Sequence, residues 1–151
     1  LNEIWTVDNF DDTDASITID LENENPVLYT ASEVDRQGSQ GIARILKIEG
    51  KTGKILWEKD YKGFNKDGPS PSNGGALATN ILGKKSIDNM AIFTLCRIEN
   101  ENKGIMVALD KATGEEMANA HLCLVIPCRC LRQPRQRVYT PSIEKRYYVY
   151  N

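Results

Sequence analysis

The stretches that decide the fold are residues 43–57, ARILKIEGKTGKILW, and residues 104–117, GIMVALDKATGEEM. Each begins with an apolar run, continues with an acidic residue and a turn that contains Lys and Thr-Gly, and leads into a second strand. The turn glycine of the first stretch, Gly53, recurs 61 positions later as Gly114. A β-hairpin that recurs at such an interval indicates a repeat architecture.

The two copies agree at an acid, a threonine and a glycine, and they differ at one tryptophan. These positions form the structural repeat motif of the chain: Glu49, Thr52, Gly53 and Trp57 in the first copy, and Asp110, Thr113 and Gly114 in the second.

The composition is that of a folded globular protein. With 40% hydrophobic and 26% charged residues, the 151-residue chain is neither disordered nor too short for a core. A net charge of −2 gives no reason to expect nucleic acid as a partner. No apolar run approaches the roughly 18 residues that a membrane span needs, so no span is predicted.

Predicted strands occur in two groups of four. Residues 15–21 alternate Ile17, Ile19 and Leu21 with polar residues, which predicts a half-buried strand. Residues 4–7 predict the end of an earlier strand, with Trp5 at the position of Trp57. The two groups are residues 15–21, 27–31, 42–48 and 54–61, followed by residues 76–82, 90–97, 105–110 and a strand from residue 115.

This order predicts an all-β fold. A four-stranded antiparallel sheet must stack on a neighbour to bury both of its faces, and radial stacking gives a β-propeller. We therefore predict a partial β-propeller of about two four-stranded antiparallel blades. Residues 1–10 are the end of one blade, residues 11–62 a second and residues 63–117 a third. Because so few blades cannot close a ring, we expect the chain to be a fragment.

The pattern Ala-x-Leu-Asp-x-x-Thr-Gly-x-x-x-Trp resembles the repeat of the pyrroloquinoline quinone-like (PQQ-like) β-propellers, the quinoprotein dehydrogenase-like superfamily. It stands here as LKIEGKTGKILW at residues 46–57 and as VALDKATGEEM at residues 107–117. The resemblance covers residues 1–117 and implies a propeller. It implies no single function, since this fold hosts enzymes, scaffolds and sensors. In physical terms, the turn glycine is free to adopt positive φ, and Trp57 offers a flat surface that wedges between blades.

The second copy lacks its tryptophan. The family pattern places Trp four residues after the turn glycine, where the chain has Ala118. Met117-Ala118 is encoded ATG-GCN, which read one base later contains TGG, the tryptophan codon. Residues 118–151 also hold six basic residues against one acid, net +5, whereas residues 1–117 hold 13 against 20, net −7. We hypothesise that residues 118–151 are translated out of frame and are not a native domain.

Candidate metal ligands are weak. His121, Cys123, Cys128 and Cys130 lie near one another, but Cys-x-Cys is not zinc-ribbon spacing, so no metal site is predicted. Asp20, Glu22 and Glu24 lack the turn glycine of a calcium loop, so we expect a solvated acidic turn.

Catalytic and cofactor residues are not predicted either. Ser70 and Ser72 lie outside any Gly-x-Ser-x-Gly elbow. Quinone-dependent members of the family carry adjacent cysteines and a calcium-binding carboxylate set, whereas residues 1–117 hold a single cysteine, Cys96, expected to be a small core residue. Neither PQQ nor calcium is therefore expected.

The resemblance leaves three functions open. The first is a non-catalytic scaffold or binding module that contacts protein or carbohydrate at the cell surface through the loop at residues 63–75. The alternatives are a fragment of a PQQ-dependent dehydrogenase and an envelope assembly or sensor domain. The family implies an extracellular or periplasmic location, although the sequence contains no signal peptide.

Overall fold

The computed structural model describes residues 2–9, 13, 15–34, 41–63, 74–76, 78–98 and 104–122. These residues form ten β-strands and one 3-10 helix, Lys85–Ile87, which confirms the predicted all-β class. The strands are β1 (Thr18–Glu22), β2 (Asn25–Ala31), β3 (Glu33–Val34), β4 (Ile42–Glu49), β5 (Ile55–Lys62), β6 (Gly74–Ala76), β7 (Ile81–Leu82), β8 (Met90–Cys96), β9 (Gly104–Asp110) and β10 (Glu116–Leu122).

The strands form two open antiparallel sheets. Sheet A has four strands in the order β1-β2-β4-β5. Sheet B has six strands, in the order β10-β9-β8-β6-β3, and β7 pairs with β8 beside β6. Both repeat hairpins, β4–β5 and β9–β10, lie at the outer end of their sheet, as expected from their common sequence pattern.

The two sheets repeat each other in register. In sheet A, one row of paired residues crosses all four strands, and an equivalent row crosses β7, β8, β9 and β10 in sheet B. In sheet A this row lies on the face toward sheet B and is called the contact row; it consists of Thr18, Tyr29, Lys47 and Trp57. In sheet B the equivalent row lies on the face away from sheet A and is called the open row; it consists of Ile81, Ile92, Ala108 and Ala118.

The neighbouring rows are shifted by one residue along each strand and therefore lie on the opposite faces. On that opposite face of sheet A the row is Ile19, Leu28, Ile48 and Ile55, of which Ile48 is buried. The contact row of sheet B is Leu82, Ala91, Leu109 and Glu116.

A single apolar cluster joins the contact faces of the two sheets. Tyr29, Ile45 and Trp57 of sheet A share it with Phe93 and Leu109 of sheet B. Tyr29, Ile45, Phe93 and Leu109 are at most 1% exposed, and Trp57 is 9% exposed. Burying each such side chain is worth about 1.5–3 kcal/mol, so this layer is the main stabilising contact between the sheets.

The predicted face of the first strand is wrong. β1 forms as predicted, but Ile19 and Leu21 point to solvent, at 65% and 71% exposure. The polar side chains of Asp20 and Glu22 turn toward sheet B instead. Register decides this result, because pairing with β2 places Asp20 and Glu22 on the same face as the core residues Val27 and Tyr29.

Two other boundaries differ from the prediction. The structure assigns no strand to residues 2–9, and the strand predicted over residues 76–82 is split into β6 and β7. β10 runs across the proposed break at Ala118 and continues to Leu122. The remaining tail, residues 123–151, and most of the predicted loop, residues 64–73, lie outside the described part of the chain.

Candidate functional site

The first repeat turn, between β4 and β5, is closed by the predicted motif residues. The Gly53 N–H donates to the Glu49 carbonyl at 2.9 Å, and Gly53 has φ of +75°. The Thr52 hydroxyl donates to the Glu49 carboxylate and accepts the Lys54 N–H at 3.2 Å. Threonine and acid therefore hold the turn while glycine supplies the left-handed backbone.

The second repeat turn, between β9 and β10, has the same frame. The Gly114 N–H donates to the Asp110 carbonyl at 2.8 Å, with φ of +74° at Gly114. The Asp110 carboxylate accepts the N–H groups of Thr113 and Ala112 at 2.9 and 2.8 Å. These backbone bonds, that of Thr113 first, hold the pKa of Asp110 below its usual value.

Each turn supports a tryptophan from elsewhere in the chain, in an arrangement that we call an indole seat. Trp57 Nε1 donates to the Lys111 carbonyl at 2.9 Å, and a Cβ at Gly114 would lie 2.8 Å from its ring. Trp5 Nε1 donates to the Gly50 carbonyl at 3.0 Å, and a Cβ at Gly53 would likewise lie 2.8 Å from its ring. The predicted wedge role of Trp57 thus takes the form of a ring lying directly on a turn glycine.

A polar cluster surrounds the seat at the junction of the two sheets. Lys47, 4% exposed, donates to Glu22 Oε2 and to the Lys111 carbonyl, both at 2.7 Å, and lies 5.6 Å from the centre of the Tyr29 ring. The Tyr29 hydroxyl donates to Glu22 Oε1 at 2.6 Å. The Lys111 ammonium lies 2.7 Å from Asp20 Oδ2. Lys111 is therefore the centre of this junction, through its carbonyl and its amine.

The electrostatics of the cluster follow from these contacts. The hydrogen bond from Lys111 is the largest cause that lowers the pKa of Asp20. Burial first, and then the bond to Glu22, raise the pKa of Tyr29 far above its usual value. The cluster was not predicted, because no local pattern brings residues 20, 22 and 111 together. The expectation of a solvated acidic turn is right for exposed Glu24 and wrong for Asp20 and Glu22.

A second feature, the loop base, lies where three chain segments meet. The Gly63 N–H donates to the Gly41 carbonyl at 2.7 Å, and Gly63 forms a β-bridge with Ile98. Gly41 directly follows the segment 35–40, Gly63 directly precedes the segment 64–73, and Ile98 directly precedes the segment 99–103. A Cβ at Gly63 would lie 2.9 Å from Val34 Cγ1, so only glycine fits this contact.

The remaining candidates are dispersed. Cys96 is buried, as expected, and is disulfide-bonded. Among the described residues, no group of three His, Cys, Asp or Glu side chains is placed to hold a metal ion. His121 is exposed on β10. Ser70, Ser72, Cys123, Cys128 and Cys130, for which no catalytic or metal role was predicted, lie outside the described residues.

Comparison with known proteins identifies no relative: no family model, no curated protein and no solved structure matches the chain. Over the described ranges, none of the secondary structure is a helix with the length and apolar character that crossing a membrane requires.

Proposed function

We propose that the chain is part of a PQQ-like β-propeller and serves as a non-catalytic platform whose loops bind protein or carbohydrate outside the cytoplasm. The propeller arrangement is supported by the two indole seats: Trp57 of sheet A lies on the repeat turn of sheet B, and Trp5 of the segment 2–9 lies in the same way on the repeat turn of sheet A. A contact between β1 and β7, the strands farthest from the repeat hairpins in the two matching rows, supports it as well. The Thr18 hydroxyl of β1 donates to Oδ1 of Asn80, which directly precedes β7, at 2.7 Å.

The observation that carries the binding function is the loop base. Three polar segments, DRQGSQ, FNKDGPSPSN and ENENK, adjoin Gly41, Gly63 and Ile98, and Gly63 contacts both of the other two residues. Binding residues are commonly supplied by loops that a rigid scaffold holds together. The sequences of these segments supply hydroxyl, amide and carboxylate groups, which form hydrogen bonds with a sugar or a polar protein surface, and one aromatic residue, Phe64, whose ring type stacks on a sugar.

Two observations favour this role over a quinone enzyme. Residues 1–117 hold a single cysteine and therefore no adjacent pair of the kind that the dehydrogenases carry. The described carboxylates that cluster, Asp20 and Glu22, are paired with Lys111 and Lys47.

The experiment is a glycan array probed with the whole purified chain. Three proteins are compared: the natural chain, a variant with residues 64–73 replaced by a Gly-Ser segment of equal length, and a control with Lys84→Ala and Lys85→Ala in the β7–β8 connection. We expect selective binding that the loop variant loses and the control keeps. Binding unchanged in the loop variant, or dye reduction on addition of PQQ and Ca²⁺, would refute the proposal.

A further inference from the structure

The centre of one face of sheet A is buried although sheet B lies against the other face. On the face turned away from sheet B, which we call the far face, Thr30, Leu46 and Ile48 are only 6%, 0% and 5% exposed. Their strand neighbours Tyr29 and Lys47 point to the opposite face and pack toward sheet B. A part of the chain other than sheet B therefore covers the far face.

The amino-terminal residues 2–9 provide this cover. Trp5 Nε1 donates to the Gly50 carbonyl at 3.0 Å, beside the start of β2. Further along the chain, the Thr13 hydroxyl donates at 2.6 Å to the carbonyl of Ala31, the last residue of β2. Two anchor points at opposite ends of β2 therefore place the amino-terminal segment along sheet A.

The second indole seat shows on which face of sheet A the segment lies. Trp57 reaches the repeat turn of sheet B from the side of the contact row of that sheet. The equivalent row of sheet A, to which Ile48 belongs, lies on the far face. Trp5 rests on Gly53 in the same way as Trp57 rests on Gly114, so Trp5 lies on the far face.

The segment is extended but lies outside both sheets. Every second residue from Trp5 onward is half-buried and the residues between are exposed, which is the pattern of an extended chain with one side against a surface. Residues 2–9 belong to no strand among the described residues, and Ile4, next to the seated ring, is 86% exposed. Trp57, in contrast, lies in β5, which pairs with β4 along its length. A segment outside the sheets with few buried side chains is the kind of element that opens locally while the sheets stay folded.

We propose that residues 2–9 are a strap, a tethered peptide that binds the far face of sheet A through Trp5 and detaches while the sheets remain folded. The groove that it leaves binds an extended peptide that carries a tryptophan. Recognition comes from the Gly50 carbonyl, which accepts the indole N–H, and from the flat surface at Gly53, where a Cβ would lie 2.8 Å from the ring. The inference does not depend on the binding function proposed above, which concerns the loop base.

The test is fluorescence anisotropy with a fluorescein-labelled peptide of the strap sequence, NEIWTVDN, titrated with the full chain carrying Trp5→Ala. This variant keeps both sheets and vacates the groove, so we expect saturable binding. The natural chain is expected to bind the peptide about tenfold more weakly or less, because its own strap competes at a millimolar effective concentration. A peptide with Trp5→Ala is expected not to bind, whereas a peptide with Ile4→Ala is expected to bind like the natural sequence.

A pair of glycine variants locates the bound peptide. Added to the Trp5→Ala chain, Gly53→Ala is expected to abolish peptide binding, and Gly114→Ala, the matched change at the other seat, is expected to leave it unchanged. Equal binding by both glycine variants, equal binding by the natural and Trp5→Ala chains, or no binding at all overturns the inference. A Trp5→Ala chain that is unfolded by far-ultraviolet circular dichroism overturns it too, because the strap would then be indispensable to the sheets. None of these results touches glycan binding, whose loss would instead count against the proposed function.

Discussion

Adding one methyl group to a turn glycine tests whether each tryptophan rests on its turn. Gly53→Ala places a Cβ 2.8 Å from two atoms of the Trp5 ring, whereas carbon atoms rest at about 3.5–4.0 Å. The substitution also puts alanine at φ of +75°, which costs about 1–2 kcal/mol. Displacing the ring adds about 1–3 kcal/mol, as overpacking does elsewhere. The free energy of unfolding is therefore expected to fall by about 2–5 kcal/mol in total.

The double-mutant cycle with Trp5→Ala separates the two parts. Without the indole, Gly53→Ala retains only its backbone cost of about 1–2 kcal/mol, so the pair couples by about 1–3 kcal/mol. Urea unfolding followed by far-ultraviolet circular dichroism measures the four free energies. Gly114→Ala with Trp57→Ala is the matched cycle, with the same geometry in the second seat. Additivity within about 0.5 kcal/mol at both seats would show that neither ring rests on its glycine.

Three further predictions concern the cluster and the turns. Lys111→Met is expected to cost about 1 kcal/mol near neutrality. Because the pKa of Asp20 is lowered in the folded state, its contribution is present above about pH 3.9 and is lost in acid. Lys111→Met should reduce that acid loss in urea midpoints, because the hydrogen bond from Lys111 is the largest cause of the lowered pKa of Asp20. Tyr29→Phe is expected to cost about 1.5–3 kcal/mol, since its hydroxyl bonds the Glu22 carboxylate. The raised pKa of Tyr29 makes its contribution fall as the pH rises above about 10, and Tyr29→Phe should flatten that alkaline loss. Asp110→Ala should lower the melting temperature and Asp110→Asn should restore most of it, because asparagine can still accept the bonds from residues 112 and 113.

The repeat hairpins could be predicted because their information is local. Thr52-Gly53 and Thr113-Gly114 lie within the turns they build, and the flanking strands are apolar enough to be recognised. The face of β1 could not be predicted in the same way. Ile19 and Leu21 have the pattern of a buried face, but the pairing of β1 with β2 places them outward.

The residues of the candidate site also fall into two groups, those whose role depends on local sequence and those whose role depends on distant contacts. The seven motif residues were identified from sequence, because each acts within or directly on a turn. The polar cluster depends on contacts between residues 25, 64 and 91 positions apart, the last being the Lys111–Asp20 pair. The loop base likewise joins Gly41, Gly63 and Ile98 from three separate parts of the chain. A sign was available in retrospect: Lys47 is a lysine in the middle of an apolar strand, which requires a buried acceptor.

The two seats have the same geometry but differ at one turn position, and a second residue that packs beside this position differs in the opposite sense. Gly50 and Lys111 occupy the same turn position, and each N–H donates across the sheet, to the Pro26 and Asn89 carbonyls at 2.8 and 2.7 Å. A side chain at Gly50 would meet Leu28 Cδ1 at 2.9 Å.

In sheet B the register places Ala91 where sheet A has Leu28, so the methyl side chain leaves room for the Lys111 side chain. That lysine then reaches Asp20, whose own counterpart in sheet B is Gly83. The first seat thus combines the large Leu28 with Gly50, and the second combines the small Ala91 with Lys111. The two hairpins are therefore not interchangeable. The common motif thus places a tryptophan on each turn, while the exchanged residues fit each turn to its own neighbours.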